Sequence, residues 1–159
     1  MIEQTLTSEQ TDILGEVANI SMGNSATTLS LMVNRRVRIT TPSVKIISRS
    51  ASLDDYEKTC VFVQIHYIKG LSGNNVLILK DRDVKCMTDL MMGGDGTHIE
   101  GEISELQLSA ASEAMNQMMG TSATSMATML NIPIDISTPV VNQIDVESVK
   151  LFEKIFESS

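Results

Sequence analysis

Aromatic residues are almost missing from this chain. Of 159 residues two are Tyr, three are Phe and none is Trp. A core built without them is aliphatic, and the eleven methionines supply flexible filling for irregular gaps. Cysteine is equally scarce. Cys60 and Cys86 are too few for a disulfide framework and are expected to be buried thiols. Basic charge is in short supply: 12 Lys and Arg stand against 20 Asp and Glu, a formal net charge of -8. That balance argues against a nucleic-acid partner, which would need a basic surface. The small cluster Arg35, Arg36 and Arg38 reads as a solvated strand end. No apolar run reaches the roughly 18 residues of a membrane span, so no membrane insertion is expected. The first residues, MIEQTLTSEQ, have neither the basic nor the apolar region of a signal peptide, which leaves the cytoplasm as the expected location. His66 falls in an alternating pattern and His98 in a glycine-rich loop. Neither has a Cys or His neighbour at metal-ligand spacing, and no metal site of the chain's own is expected.

What is present is a repeat. Residues 12–47 and 109–144 align without a gap at an offset of 97. Glu16 matches Glu113, Asn19 matches Asn116, and Met22-Gly23 matches Met119-Gly120. Ser25-Ala26-Thr27 matches Ser122-Ala123-Thr124. Ile39, Thr41, Pro42 and Val44 match Ile136, Thr138, Pro139 and Val141. The chain is a duplicated unit, expected to fold about a pseudo-two-fold axis as one domain over 1–159. The first repeat covers about 7–95 and the second about 103–159.

Each unit reads as a long helix followed by a strand. Thr7 or Ser8 can cap the first helix, with Gln10 placed as in a capping box, and the helix runs to about Val33. Val37, Ile39, Val44 and Ile46 then read as extended chain broken by Pro42, and 51–58 as a loop or short turn. Val61, Val63, Ile65 and Tyr67 alternate on one face of a strand, Gly70 to Asn75 turns, and 76–79 returns. Asp81 or Asp83 can cap a helix over about 83–92, stopped by Gly93-Gly94. A second long helix over 103–130 and a strand over 133–145 complete the pattern. By the same offset Ser159 corresponds to Phe62. The second unit is therefore expected to lack its strand pair and short helix, leaving an unpaired sheet edge that favours self-association.

Helical geometry places Asp12, Glu16 and Asn19 within about 60° of one another, with Gly23 one turn further along the same stripe. Ser109, Glu113, Asn116 and Gly120 repeat it. Ile13, Leu14, Val17 and Ile20 are expected to face the core, as are Ala110, Ala111, Ala114 and Met118. A solvated helix face accepts any polar residue. It gives no reason to hold carboxylate, amide and glycine in register twice.

The pattern Asp/Ser-x3-Glu-x2-Asn-x22-Pro, met by Asp12, Glu16, Asn19 and Pro42 and again by Ser109, Glu113, Asn116 and Pro139, resembles the CheC/CheX/FliY phosphatase family. The stretches NISMGNSATTLS, TTPSV, GLSGNNVLIL, DLMMGGDG and LSAASEAMNQMMGTSATSM look most like the central domain of FliY-type members. The resemblance covers nearly the whole chain. It implies hydrolysis of the aspartyl phosphate on a CheY-type response regulator in chemotaxis and flagellar motor switching. The Asn would position the attacking water, and the Glu would contact the regulator's active-site lysine. No cofactor of the chain's own is implied, because the magnesium ion belongs to the regulator. FliY-type members also carry an N-terminal segment that captures the phosphorylated regulator and a C-terminal FliN-like domain that docks in the motor. Both are expected to be absent here.

The residue types suit that chemistry. An acyl phosphate is already reactive and lacks only an oriented water, which an amide can hold by accepting and donating hydrogen bonds. Glu at i and Asn at i+3 share a face, so one helix delivers both. Gly23 and Gly120 would allow close backbone approach by a partner. The prolines are read as structural. The fold expected is α/β of the α+β type: two long motif helices, antiparallel or nearly so, on one side of a mostly antiparallel sheet. The competing reading is a switch module at the cytoplasmic face of the motor that binds the phosphorylated regulator or other switch proteins without hydrolysis.

Overall fold

The computed structural model describes residues 5–45 and 59–145. In chain order these form α1 (Ser8–Val33), β1 (Thr59–Lys69), β2 (Asn74–Lys80), α2 (Asp81–Met91), α3 (Glu105–Leu130), β3 (Asp135–Ile136) and β4 (Val140–Asp145). The loop expected over 51–58, Ile46 and the end of the second repeat after Asp145 lie outside the described residues.

The duplication is visible in the helix ends. The α1 and α3 helices are each 26 residues long. Thr7 N–H donates to Gln10 Oε1 at 2.9 Å while Gln10 N–H donates to Thr7 Oγ1 at 3.1 Å. Ser104 and Gln107 make the same reciprocal pair at 2.9 and 3.1 Å, so both helices open on a full capping box. Both close on an asparagine in the left-handed conformation, Asn34 at φ 52 and Asn131 at φ 54. Asparagine tolerates that region better than other residues with a side chain.

The two helices pack antiparallel. Asn24 Nδ2 donates to Ser125 Oγ at 2.8 Å, and the Thr28 and Thr121 hydroxyls meet at 3.0 Å. The offset of 97 turns Asn24 into Thr121 and Ser125 into Thr28, so each contact is the image of the other. The pseudo-two-fold axis passes between them. Close approach is possible because small residues fill the seam: Ser21, Ser25 and Ala26 of α1 and Ser122 and Ala123 of α3 are buried. Ser25 Oγ crosses the seam to donate to the Met118 carbonyl at 2.8 Å.

The sheet is antiparallel and centred on β1. β2 pairs one edge of β1 from Cys60↔Lys80 to His66↔Asn74. β4 pairs the other edge from Thr59↔Asp145 to Gln64↔Val140, and β3 continues it at Tyr67↔Ile136. The core lies between this sheet and α3. Val61 and Val63 pack with Val84, Ile103, Ala111, Ala114, Met115 and Met118, and Leu29 and Met32 of α1 reach the same cluster. Ala111 and Ala114 let α3 lie close to the sheet, while α1 packs chiefly against α3 and α2. The architecture is the expected α+β arrangement of three helices on an antiparallel sheet.

Several expectations are corrected. The segment after α1 forms no strand over residues 35–45. It is held to α1 instead: Val37 N–H donates to Ser30 Oγ at 2.9 Å, and Thr41, Pro42 and Val44 lie across the helix from Asp12 and Glu16. The strand expected over 133–145 is split in two, because His66 N–H donates to Ser137 Oγ at 2.9 Å and Ser137 N–H to the His66 carbonyl at 2.8 Å. The α2 cap is Lys80, without a side-chain cap bond. Asp81 and Asp83 sit inside the first turn, where a carboxylate favours the positive helix end. Asp81 also pairs with the buried Lys85 at 2.6 Å. Ile13, Leu14 and Ile20 do not face the core; they are 56%, 45% and 39% exposed. The equivalent face of α3 is covered by the sheet and α2, and the described residues place only one such set of elements. Cys60 is buried as expected, whereas Cys86 is only half-buried.

The β1–β2 turn carries two glycines at positive φ, Gly70 and Gly73, and Gly70 is the more crowded. Gly70 sits at φ +87, and a Cβ there would collide with the Pro133 carbonyl oxygen, which belongs to the backbone and cannot swing aside. Gly70→Ala is expected to cost about 3 kcal/mol from left-handed strain and overpacking together. Thermal unfolding should show it as a drop of roughly 6–12 °C in Tm.

Candidate functional site: two polar helix faces

The first face lies on the N-terminal half of α1. Thr11, Asp12, Gly15, Glu16 and Asn19 line one side of a cleft of about 330 Å³, and Thr41, Pro42 and Val44 line the other. Asp12 and Glu16 are exposed and Asn19 is half-buried. No described residue hydrogen-bonds the Glu16 carboxylate or the Asn19 amide. Gly23 sits one turn on, and a Cβ there would meet nothing within 4 Å. Pro42 was read as shaping a strand. It instead forms, with Thr41 and Val44, the far wall of this cleft.

The second face lies on α3. Ser109, Glu113 and Asn116 are exposed, and Gly120 again has open space where its Cβ would be. Glu113 differs from Glu16 in having a partner: Gln117 Nε2 donates to Glu113 Oε1 at 2.8 Å. Pro139 is buried, and the chain beyond it enters the sheet as β4. Among the described residues equal sequence motifs therefore meet unequal surroundings, a walled cleft on α1 and exposed side chains on α3.

The chemistry these groups offer is narrow. A carboxylate only accepts hydrogen bonds or pairs with a cation, and an amide both donates and accepts without titrating. Among the described residues no serine, cysteine or histidine of either face hydrogen-bonds a base; Ser109, one turn before Glu113, makes no such bond. The faces can align a water and grip a cationic side chain on an approaching partner.

Sequence reasoning located the Glu and Asn pairs and missed Thr11, Thr41, Val44 and Gln117. Thr41 and Val44 had a signal, since both recur in the repeat. Gln117 had none, because Ile20 stands at its counterpart. A further cluster was not anticipated: ligand atoms of Asp89, Asp95 and His98 lie within 4.8 Å of one another. Its geometry is accounted for by the loop it closes. Asp89 Oδ2 accepts from Gly96 N–H at 2.8 Å and lies 3.4 Å from His98 Nδ1. The hydroxyl and then the N–H of Thr97 hold the exposed Asp95 carboxyl below the usual carboxylate range.

Fold and faces together define a duplicated α+β domain that presents two Glu/Asn helix faces related by a pseudo-two-fold axis. The chain belongs to the CheC-like family, whose model matches residues 9–46 and 106–142, once in each repeat. It is 45% identical over 150 residues to the flagellar motor switch phosphatase FliY of Bacillus subtilis, spanning 94% of this chain and 40% of that relative's length. It is 27% identical over 156 residues to the CheY-P phosphatase CheC of the same organism, covering 95% of this chain and 74% of that one. The crystal structure of Thermotoga maritima FliY superposes with a TM-score of 0.86 at 43% identity, covering 91% of this chain and 73% of that one.

Proposed function

We propose that this domain hydrolyses the aspartyl phosphate of a phosphorylated CheY-type response regulator, in chemotaxis and flagellar motor switching. The observation that carries the reading is the doubled face. Two copies of Glu and Asn recur in register, three of the four side chains exposed and Asn19 half-buried, and among the described residues none hydrogen-bonds outside its own helix. The names of the B. subtilis relatives, a motor switch phosphatase and a CheY-P phosphatase, support the same reaction.

In this mechanism a motif helix enters the regulator's active site. Glu16 or Glu113 pairs with a regulator ammonium and fixes the helix. Asn19 or Asn116 accepts from a water and donates to the phosphoryl or carboxylate oxygens, placing the water in line with the phosphorus–oxygen bond. The water oxygen bonds to phosphorus as the bond to the aspartyl oxygen breaks. Inorganic phosphate and a free carboxylate result, with the water's protons passing to phosphate and solvent. The magnesium that neutralises the phosphoryl group is the regulator's. None of the helices in the described residues is long and apolar enough to cross a membrane, in keeping with action at the cytoplasmic face of the motor.

Phosphate release from a phosphorylated CheY-type regulator, followed with and without the chain, tests this. The expected result is acceleration that is catalytic in the chain. Binding of the phosphorylated regulator without any acceleration would replace the reading with that of a non-hydrolytic switch module.

A further inference from the structure

The two faces differ at one position that touches the motif carboxylate. Gln117 is one turn beyond Glu113, and its Nε2 donates to Glu113 Oε1 at 2.8 Å. The offset of 97 maps Gln117 onto Ile20, which is 39% exposed and cannot donate. Glu16 accordingly has no hydrogen-bond partner among the described residues. Gln117 is exposed, and the one side-chain hydrogen bond it makes among the described residues is to this carboxylate. We propose that Gln117 is a positioning residue of the second face, holding Glu113 pre-oriented for the partner's cation, and that its absence leaves Glu16 to be ordered on binding.

The physical argument is entropic. An exposed glutamate samples many rotamers, and immobilising such a side chain at an interface costs about 0.5–1.5 kcal/mol. An amide at i+4 bonds one carboxylate oxygen and leaves the second free to accept from a lysine. Because Gln117 is neutral, it orients Glu113 without competing for its charge, as a lysine at the same place would. The two faces then share a chemical step but differ in docking affinity. This rests on the proposed phosphatase reading, and the experiment separates the two.

In an Asn19→Ala background, hydrolysis reports the second face alone. Gln117→Met keeps size and helix preference but removes the donor. It is expected to raise KM for the phosphorylated regulator about threefold to tenfold, with kcat and melting temperature unchanged. The Kd for a regulator carrying beryllofluoride as a phosphate mimic should rise by the same factor. In the opposite Asn116→Ala background, Ile20→Gln supplies Glu16 with the missing amide and should lower KM at the first face. Gln117→Met with unchanged KM and Kd, or with kcat and Tm falling together, overturns the inference while leaving the phosphatase reading standing. An unaltered chain that never accelerates phosphate release overturns both.

Discussion

Replacing Asn19 and Asn116 together by alanine is expected to remove the acceleration of phosphate release while leaving the domain folded. Asn116 is exposed and Asn19 half-buried, neither side chain has a partner among the described residues, and each sits mid-helix where alanine is the best helix former. The substitution therefore costs the fold nothing, and Tm should hold or rise. In the proposed mechanism what is lost is the group that orients water, and misplacing a reactant by about 1 Å can cost about 10²-fold. Each single variant should retain the activity of the other face, so the double variant falls much further than either. The measurement is release of phosphate from a phosphorylated CheY-type regulator, with circular dichroism confirming the helices. A double variant as fast as the unaltered chain would remove both asparagines from the mechanism.

The second large effect concerns the glycines. Gly23 and Gly120 lie in the middle of long helices, where glycine costs about 1 kcal/mol relative to alanine. A Cβ at either position would meet nothing within 4 Å, so the fold offers no reason for them. Both lie one turn beyond the motif asparagine, on the face proposed to meet the regulator. Alanine at both positions is expected to stabilise the domain by about 2 kcal/mol, raising Tm by roughly 4–8 °C. The same variant should dephosphorylate the regulator roughly tenfold or more slowly, because the added methyls meet the partner's backbone. Stability and activity moving in opposite directions is the signature. A gain in stability with full activity would show that the partner does not come close at these positions.

Much of the site was legible in the sequence because its determinants are local. A capping box is a contact across three residues, so Thr7 and Gln10 announced the start of α1 directly. Glu16 and Asn19 share a face because of helical pitch alone. The repeat register carried both statements to Glu113 and Asn116, and even the seam contacts Asn24 to Ser125 and Thr28 to Thr121 obey it. Gln117 carries no such signal, because it breaks the repeat: Ile20 stands at its counterpart.

The sequence by itself determined the two helices, the N-terminal cap of the first, the register of the two polar faces and the duplication that relates them. Only the tertiary structure decided that 35–45 is not a strand, that Pro42 and Val44 wall a cleft against Asp12 and Glu16, and that the apolar face of Ile13, Leu14 and Ile20 lies exposed. The physical reason is the range of the interactions. Helical hydrogen bonds close within four residues, whatever surrounds them. A strand exists only where it pairs with another strand; residues 140–145 pair with β1, whereas the segment after α1 is held to that helix, with Val37 N–H donating to Ser30 Oγ at 2.9 Å. Two similar segments therefore took different fates, one in the sheet and one across a helix face.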